Sequence, residues 1–121
     1  MPKTKTQLDR FSGLTWNDIE AWASGTIASR GKNYQRQGRV SDLVVTDDGS
    51  LIAWVDGSAR YVTRVVMDED GLPDSICTCP YQWDCKHGVA VVLEYLKQIE
   101  KPFLLCLLFR HWFTFLVFSF R

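Results

Sequence analysis

The stretch CTCPYQWDCKH, residues 77–87, decides how this sequence is interpreted, because it holds three of the four cysteines and one of the two histidines. Its spacing is Cys-x-Cys-x5-Cys-x-His. Three chemistries fit such a cluster: a metal site, a redox-active pair of thiols, or buried apolar cysteines beside a core histidine. Each of them implies a different kind of protein.

A zinc site accounts for every member of the cluster. A structural zinc ion takes four nitrogen or sulfur ligands in a tetrahedron. The tight Cys-x-Cys pair can place two thiolates on one side of the ion, and the five residues PYQWD let the chain loop back. The N-terminus of a following helix would favour the net charge of −1 that three thiolates, one neutral imidazole and Zn²⁺ carry together. The sequence therefore predicts bound Zn²⁺ with the ligands Cys77, Cys79, Cys85 and His87.

The competing enzymatic interpretation is a thiol–disulfide oxidoreductase that uses Cys77 and Cys79 as its dithiol. Catalytic dithiols more often have two residues between the cysteines and lie at the start of a helix. This interpretation also leaves Cys85 and His87 without a role. We therefore expect a binding protein and not an enzyme, and metal content distinguishes the two.

The segments around the cluster predict an α+β fold. Three short β-rich runs, at 40–46, 50–56 and 59–68, are separated by Asp-Gly pairs, which are typical of tight turns. They predict a three-stranded antiparallel meander. Apolar residues at helical spacing over 87–101 predict a following helix, which Pro102 would end.

Two helices are predicted at the N-terminal end of the fold. The first covers 14–24, with Thr15 as its N-cap and Asp18 near the first-turn N–H groups. The second covers 26–40. The predicted architecture is thus N-terminal helices, a three-stranded antiparallel meander, a zinc loop and a following helix.

The ligand spacing, with Pro80 after the second cysteine and a Cys-Lys-His end, resembles the SWIM zinc finger. The segment SRGKNYQRQGRV, residues 29–40, is similar to the sequence that precedes the finger in bacterial members of that family. The resemblance covers roughly residues 15–98. It implies four metal ligands, no catalytic residue and a role in binding protein or nucleic acid, often within a larger protein. The sequence lacks a phosphate-binding loop of the Gly-x4-Gly-Lys-Ser/Thr type, so a truncated or stand-alone member, or a non-functional fragment, is the expectation.

Candidate contacts to nucleic acid are few. The chain has no net charge: residues 1–40 carry +4, residues 41–75 carry −6 and the rest carry +2. A nucleic-acid-binding domain usually shows a basic excess, so any such contact must be a local patch. The candidate residues are Lys32, Arg36, Arg39 and Lys86. On a helix, Lys32, Arg36 and Arg39 would share one face, and the alternative is that this face is simply solvated.

The N-terminus has no apolar segment of the secretory type, which predicts a cytoplasmic protein in a reducing compartment. We expect no small-molecule substrate.

The composition changes abruptly at residue 102, since six of the seven phenylalanines follow it. Three interpretations stay open for 103–120: an unselected tail, a membrane-associated segment or a buried core element. Cys106 lies in this segment and is not a predicted ligand. The predicted division is an N-terminal tail at 1–14, a SWIM-type zinc-binding domain at 15–101 and a hydrophobic tail at 102–121.

Overall fold

The structure, a computed structural model, describes residues 10–100. A four-stranded antiparallel sheet and three α-helices make up the fold, so the predicted α+β class is confirmed. A 3-10 turn at Arg10–Gly13 comes first. The α-helices are α1 (Trp16–Ala23), α2 (Gly25–Arg36) and α3 (Lys86–Glu100), and the strands are β1 (Val40–Val45), β2 (Leu51–Asp56), β3 (Arg60–Met67) and β4 (Pro73–Cys77).

Helix α1 begins at the predicted cap. The Thr15 hydroxyl accepts a hydrogen bond from the backbone N–H of Asp18 at 3.2 Å, and the Asp18 carboxylate accepts one from the N–H of Thr15 at 2.9 Å. This reciprocal pair satisfies two N–H groups that a helix start otherwise leaves unpaired. The capping role that the sequence predicts for Thr15 is therefore confirmed.

Helices α2 and α3 cross closely at Gly31, in the middle of α2. A Cβ atom there would lie 2.5 Å from the Val89 side chain and 2.9 Å from the backbone oxygen of Lys86. Only glycine leaves room for so close a crossing. The cost of glycine inside a helix, about 1 kcal/mol relative to alanine, is offset by this contact.

The sheet has one strand more than the sequence predicted. Its order is β1-β2-β3-β4, so the meander continues into β4 along the free edge of β3. The prediction of three strands is wrong because β4, with the sequence PDSIC, lacks the usual alternation of apolar inward and polar outward residues. Its buried positions hold proline, serine and cysteine, while Ile76 faces outward with 47% of its surface exposed. Pro73 is tolerated because it is the first residue of an edge strand.

The core lies between one face of the sheet and the helices. Helix α3 lies across this face, and its apolar stripe meets the inward side chains of β2 and β3. The largest fully buried side chains are Phe11, Ile19, Leu51, Val55, Val65, Val89, Val91 and Val92. On the opposite face, Trp54 and Ile76 are exposed, and no helix covers that face among residues 10–100. This packing positions the start of α3, where the predicted ligand His87 lies.

The predicted tail at 102–121 lies outside the described residues, as do Cys106, the hydrophobic segment 103–120 and residues 1–9 of the predicted N-terminal tail. The rest of the N-terminal tail, 10–14, is described, and Phe11 there is buried in the core. Within residues 10–100, no helix combines the length and the apolar character that crossing a membrane requires.

Candidate metal centre

The cluster lies where β4 ends and α3 begins. A short loop, 78–85, connects the two elements and folds back on itself. The N–H of Cys77 donates to the backbone oxygen of Gln82 at 2.7 Å, and the N–H of Gln82 donates to that of Cys79 at 3.1 Å. Gln82 and Asp84 adopt positive φ angles of 68° and 45°. This tight path returns the chain to the end of β4, so the last cysteine comes beside the first.

The structure brings all four predicted ligands together. Their ligand atoms lie within 4.8 Å of one another, and all four residues are buried. The Nδ1 atom of His87 is 3.5 Å from the sulfur of Cys77 and 3.5 Å from that of Cys85. In a tetrahedral zinc site with usual bond lengths, a nitrogen and a sulfur ligand are about 3.6 Å apart and two sulfurs about 3.8 Å. The donor set therefore fits a metal ion of this kind with shifts of about 1 Å or less.

Hydrogen bonds to the sulfurs support the charged form of the site. The hydroxyl of Thr63, fully buried on β3, donates to the Cys77 sulfur at 3.1 Å. Backbone N–H groups contribute as well: that of Cys79 donates to the Cys77 sulfur and that of Gly88 to the Cys85 sulfur. Donors around the ligands tune and orient a metal site nearly as much as the ligands themselves do.

Sequence reasoning missed Thr63, although one signal was present. Thr63 and Cys77 are direct partners in the β3–β4 register. A buried threonine on the inward face of a strand needs a hydrogen-bond partner, and the neighbouring cysteine supplies it. Because β4 was not predicted as a strand, that register could not be derived.

Cys77 and Cys85 share a hydrogen bond that shifts their pKa values in opposite directions. A hydrogen bond from Cys85 lowers the pKa of Cys77 to about 3, with further help from His87 and Thr63 and against the opposing effect of burial. The same hydrogen bond raises the pKa of Cys85, and burial raises it further. One thiolate thus forms readily while the next is disfavoured by the first. A divalent cation removes this conflict because it replaces the protons between the sulfurs.

A polar contact fastens the loop to the helices. The carboxylate oxygen Oδ1 of Asp84 accepts a hydrogen bond from the indole N–H of Trp22 at 2.7 Å and another from the N–H of Ser75 at 3.1 Å. Asp84 immediately precedes Cys85, so the contact positions the third cysteine. Trp22, which provides the indole donor, is half-buried.

The other edge of the His87 ring faces two tyrosines. The centre of the Tyr61 ring lies 4.8 Å from that of His87, and the centre of the Tyr34 ring lies 5.3 Å from it. The Nε2 atom is buried and has no hydrogen-bond partner within residues 10–100. With Nδ1 directed at the sulfurs, Nε2 is the ring nitrogen that stays available to another group.

The four predicted nucleic-acid contacts fall on two surfaces. Arg39 and Lys86 lie against the Tyr34 ring, each 4.9 Å from its centre. Lys32 and Arg36 instead line a groove beside Trp16, and Lys32 lies 5.3 Å from the centre of that ring. The predicted single helical face is wrong because α2 ends at Arg36, and Gly38, with a φ of 74°, turns the chain before Arg39.

Two aromatic side chains of the loop are open to solvent. Tyr81 is 66% exposed and Trp83 is 59% exposed. Trp83 therefore faces solvent. Its backbone forms a bridge with Ile76, so the ring is presented from a fixed position.

Comparison with known proteins identifies the finger. The model of the SWIM zinc finger family matches residues 61–96, which run from β3 through the cluster and into α3. No curated protein and no solved structure matches the chain. The match includes all four predicted ligands, so residues 61–96 form a SWIM-type zinc finger, as the sequence indicated.

Proposed function

We propose that this SWIM-type zinc finger binds one Zn²⁺ through Cys77, Cys79, Cys85 and His87, and that the zinc-stabilised domain is a docking module for a protein or a nucleic acid. The observation that carries the proposal is the convergence of three sulfurs and Nδ1 within 4.8 Å of one another. Three thiolates with one imidazole form a donor set typical of structural zinc. All four positions are taken by the protein, as in a closed structural site.

In this proposal the metal supplies folding energy and not chemistry. Structural zinc contributes about 10–16 kcal/mol of apparent binding free energy, comparable to the whole stability of a small domain. Without a cation, one of the three crowded sulfurs loses its proton readily, and this first thiolate disfavours the loss of a proton from the next. The loop 78–85 and the start of α3 therefore depend on the ion. The apolar core beneath α3 has no contact with the ion.

The burial of the sulfurs argues against a thiol enzyme. Cys77, Cys79 and Cys85 are only 2–5% exposed. A redox dithiol must reach the sulfur of its substrate, and reactive cysteines lie in partly exposed sites. We therefore infer that the lowered pKa of Cys77 serves metal binding. A cytoplasmic location, where thiols remain reduced, suits this role.

The exposed side of the finger supports docking. Tyr81 and Trp83 project from the loop, and exposed aromatic rings held by a rigid backbone make good contact anchors. Close by, Arg39 and Lys86 provide positive charge around Tyr34. These features suit a protein surface or a nucleic-acid backbone, and the salt dependence of binding separates the two.

Two measurements test the proposal. Elemental analysis of protein purified without added metal should give one zinc per chain, and a preparation without bound metal would overturn the assignment. Capture of partners from native lysate, with and without nuclease, then tests docking. If nucleic acid is the partner, capture should fall after nuclease treatment. The affinity should also decrease steeply with salt, and Arg39→Ala should reduce the salt slope by about one.

A further inference from the structure

The groove beside Trp16 has a volume of about 350 Å³ and lies among the three helices. The start of α1, the second half of α2 and the second half of α3 form its walls. We call it the basic groove. It is separate from the metal centre, because its lining includes no predicted ligand and no residue of the loop 78–85. Its size is within the range of cavities that bind ligands.

The floor of the basic groove is apolar. Four half-buried side chains each pack against the core and also line the groove; they are Leu14, Trp16, Leu93 and Leu96. Part of their apolar surface therefore remains in contact with water. Removing such surface from water is favourable, so the floor selects a ligand that carries apolar groups of its own.

Three cations line the basic groove, and they come from two of its walls. Lys32 and Arg36 lie one helical turn apart on α2, and Lys97 lies on α3. All three are exposed, and none of them forms an ion pair within residues 10–100. No lining side chain is a carboxylate, so the lining carries three positive charges and no negative one.

Two carboxylates flank this lining, and both are engaged within the domain. That of Asp18 accepts the N–H of Thr15 at 2.9 Å. That of Glu94 accepts hydrogen bonds from the side-chain amides of Gln35 and Gln98, each at 2.9 Å. Even with these two negative charges counted, one positive charge is left in excess. The charge around the groove therefore favours a ligand with carboxylates over a cationic one.

The walls also select the conformation of the ligand. They are helices, in which most backbone N–H and C=O groups are bonded within the helix, so they offer no strand edge to a docked segment. A segment that fills the groove must satisfy its own backbone, which a helix does. Carboxylates on both sides of its apolar stripe would match cations that come from two walls.

Two other occupants fit this groove less well. A single strand of nucleic acid needs open aromatic faces for its bases, and the one aromatic ring in the lining, Trp16, has the Lys32 ammonium group 5.3 Å from its centre. The chain's own apolar segment 103–120 contains no Asp or Glu and carries Arg110, so it would add positive charge to a positively charged groove.

We propose that the basic groove binds an acidic amphipathic helix of a partner protein, with its apolar stripe on the floor and its carboxylates beside Lys32, Arg36 and Lys97. The inference deepens the proposed docking function and rests on it, because it names the partner that the same domain would bind. The groove contains no metal ligand, so peptide binding and zinc binding are measured independently.

Calorimetry on the full zinc-loaded chain tests the proposal with a synthetic peptide of about 15 residues. The peptide has leucines at i, i+3, i+4 and i+7 and glutamates on both sides of that stripe. Two matched peptides replace every glutamate with glutamine or every leucine with serine. The acidic amphipathic peptide should bind about tenfold to hundredfold more tightly than the glutamine peptide, as three exposed ion pairs predict. It should also bind more tightly than the serine peptide.

Two results with these peptides would overturn the proposal. Equal binding of the glutamine peptide would show that the cations play no part. Absence of binding by the acidic peptide at about 1 mM, a concentration that detects even a weak complex, would show that the groove does not accept such a helix.

Matched variants of the protein locate the site. Arg36→Glu should weaken binding of the acidic peptide about twofold to thirtyfold, because an attraction becomes a repulsion of similar size. Lys97→Glu on α3 should act in the same direction. Arg30→Glu is the control: Arg30 is exposed on α2, does not line the groove, and the substitution changes the net charge equally. If Arg36→Glu binds the peptide as Arg30→Glu does, the peptide lies elsewhere and the proposal is wrong.

Other occupants are distinguished with the same variants. A short oligothymidylate or laurate that binds more tightly than the peptide, and is lost in Arg36→Glu, would assign the groove to nucleic acid or to a fatty acid. Self-association that Arg36→Glu abolishes would assign it to a second copy of the chain. Each of these results would overturn the proposal. Zinc content is measured for every preparation: its absence from the unaltered protein contradicts the proposed metal site, whereas zinc without peptide binding contradicts only the present inference.

Discussion

Thr63 provides a sharp test of how the protein surroundings support the metal. Its hydroxyl donates to the Cys77 sulfur at 3.1 Å, and the residue is fully buried. Thr63→Val keeps the shape of the side chain and removes only the donor. A hydrogen bond to a charged group contributes about 1.5–3 kcal/mol, and loss of such a partner lowers metal affinity about tenfold to hundredfold. We therefore expect Thr63→Val to bind zinc more weakly by that factor.

The same substitution should move the pH dependence in a defined direction. The hydrogen bond from Thr63 helps to hold the pKa of Cys77 below that of an ordinary thiol. Without this donor the pKa of Cys77 rises, and protons compete with the metal at higher pH. Because zinc binding requires the thiolate, the midpoint of acid-induced zinc release should shift upward in pH.

The assay is competition for zinc with a chromophoric chelator, at several pH values. Thr63→Ser is the matched control because it retains a hydroxyl at the same position. It should bind zinc nearly as well as the unaltered protein, while Thr63→Val should not. Equal affinities for the valine and serine variants would refute the reasoning. If both were tight, the hydrogen bond would be irrelevant; if both were weak, packing of the methyl group would matter instead.

Three further predictions concern the metal, the helix crossing and the tail. Cys85→Ser should lose zinc and, like chelation, increase hydrogen exchange over 76–90; normal zinc content in this variant would contradict the ligand assignment. Gly31→Ala should lower the free energy of unfolding in urea by about 1–3 kcal/mol, because the added methyl lies 2.5 Å from Val89, whereas Gly13→Ala, with no atom within 4 Å, should not. A chain ending at Lys101 should keep its zinc and be more soluble than the full chain, since removal of 102–121 takes away a long apolar segment. A large drop in melting temperature on this truncation would show that the tail belongs to the core.

The sequence alone determined the features that depend on residues close together in the chain. The four ligands lie within eleven residues, so residue types and spacing sufficed to predict the cluster that the structure assembles. The cap at Thr15 and the approximate extents of β1, β2, β3 and α3 follow from local patterns too. These signals are short in range, and no other part of the chain has to be placed before they can be interpreted.

Only the tertiary structure decided the features that depend on strand register and on packing between distant segments. Strand β4 was missed because Ile76 faces outward and Ser75 inward, against the usual alternation. With β4 came the pairing of Thr63 with Cys77, which supports the metal centre. The approach of Arg39 and Lys86 to the Tyr34 ring joins two segments far apart in sequence, 34–39 and the start of α3. Contacts of this kind follow from the crossing of α2 and α3 over the sheet, a long-range arrangement that no local pattern encodes.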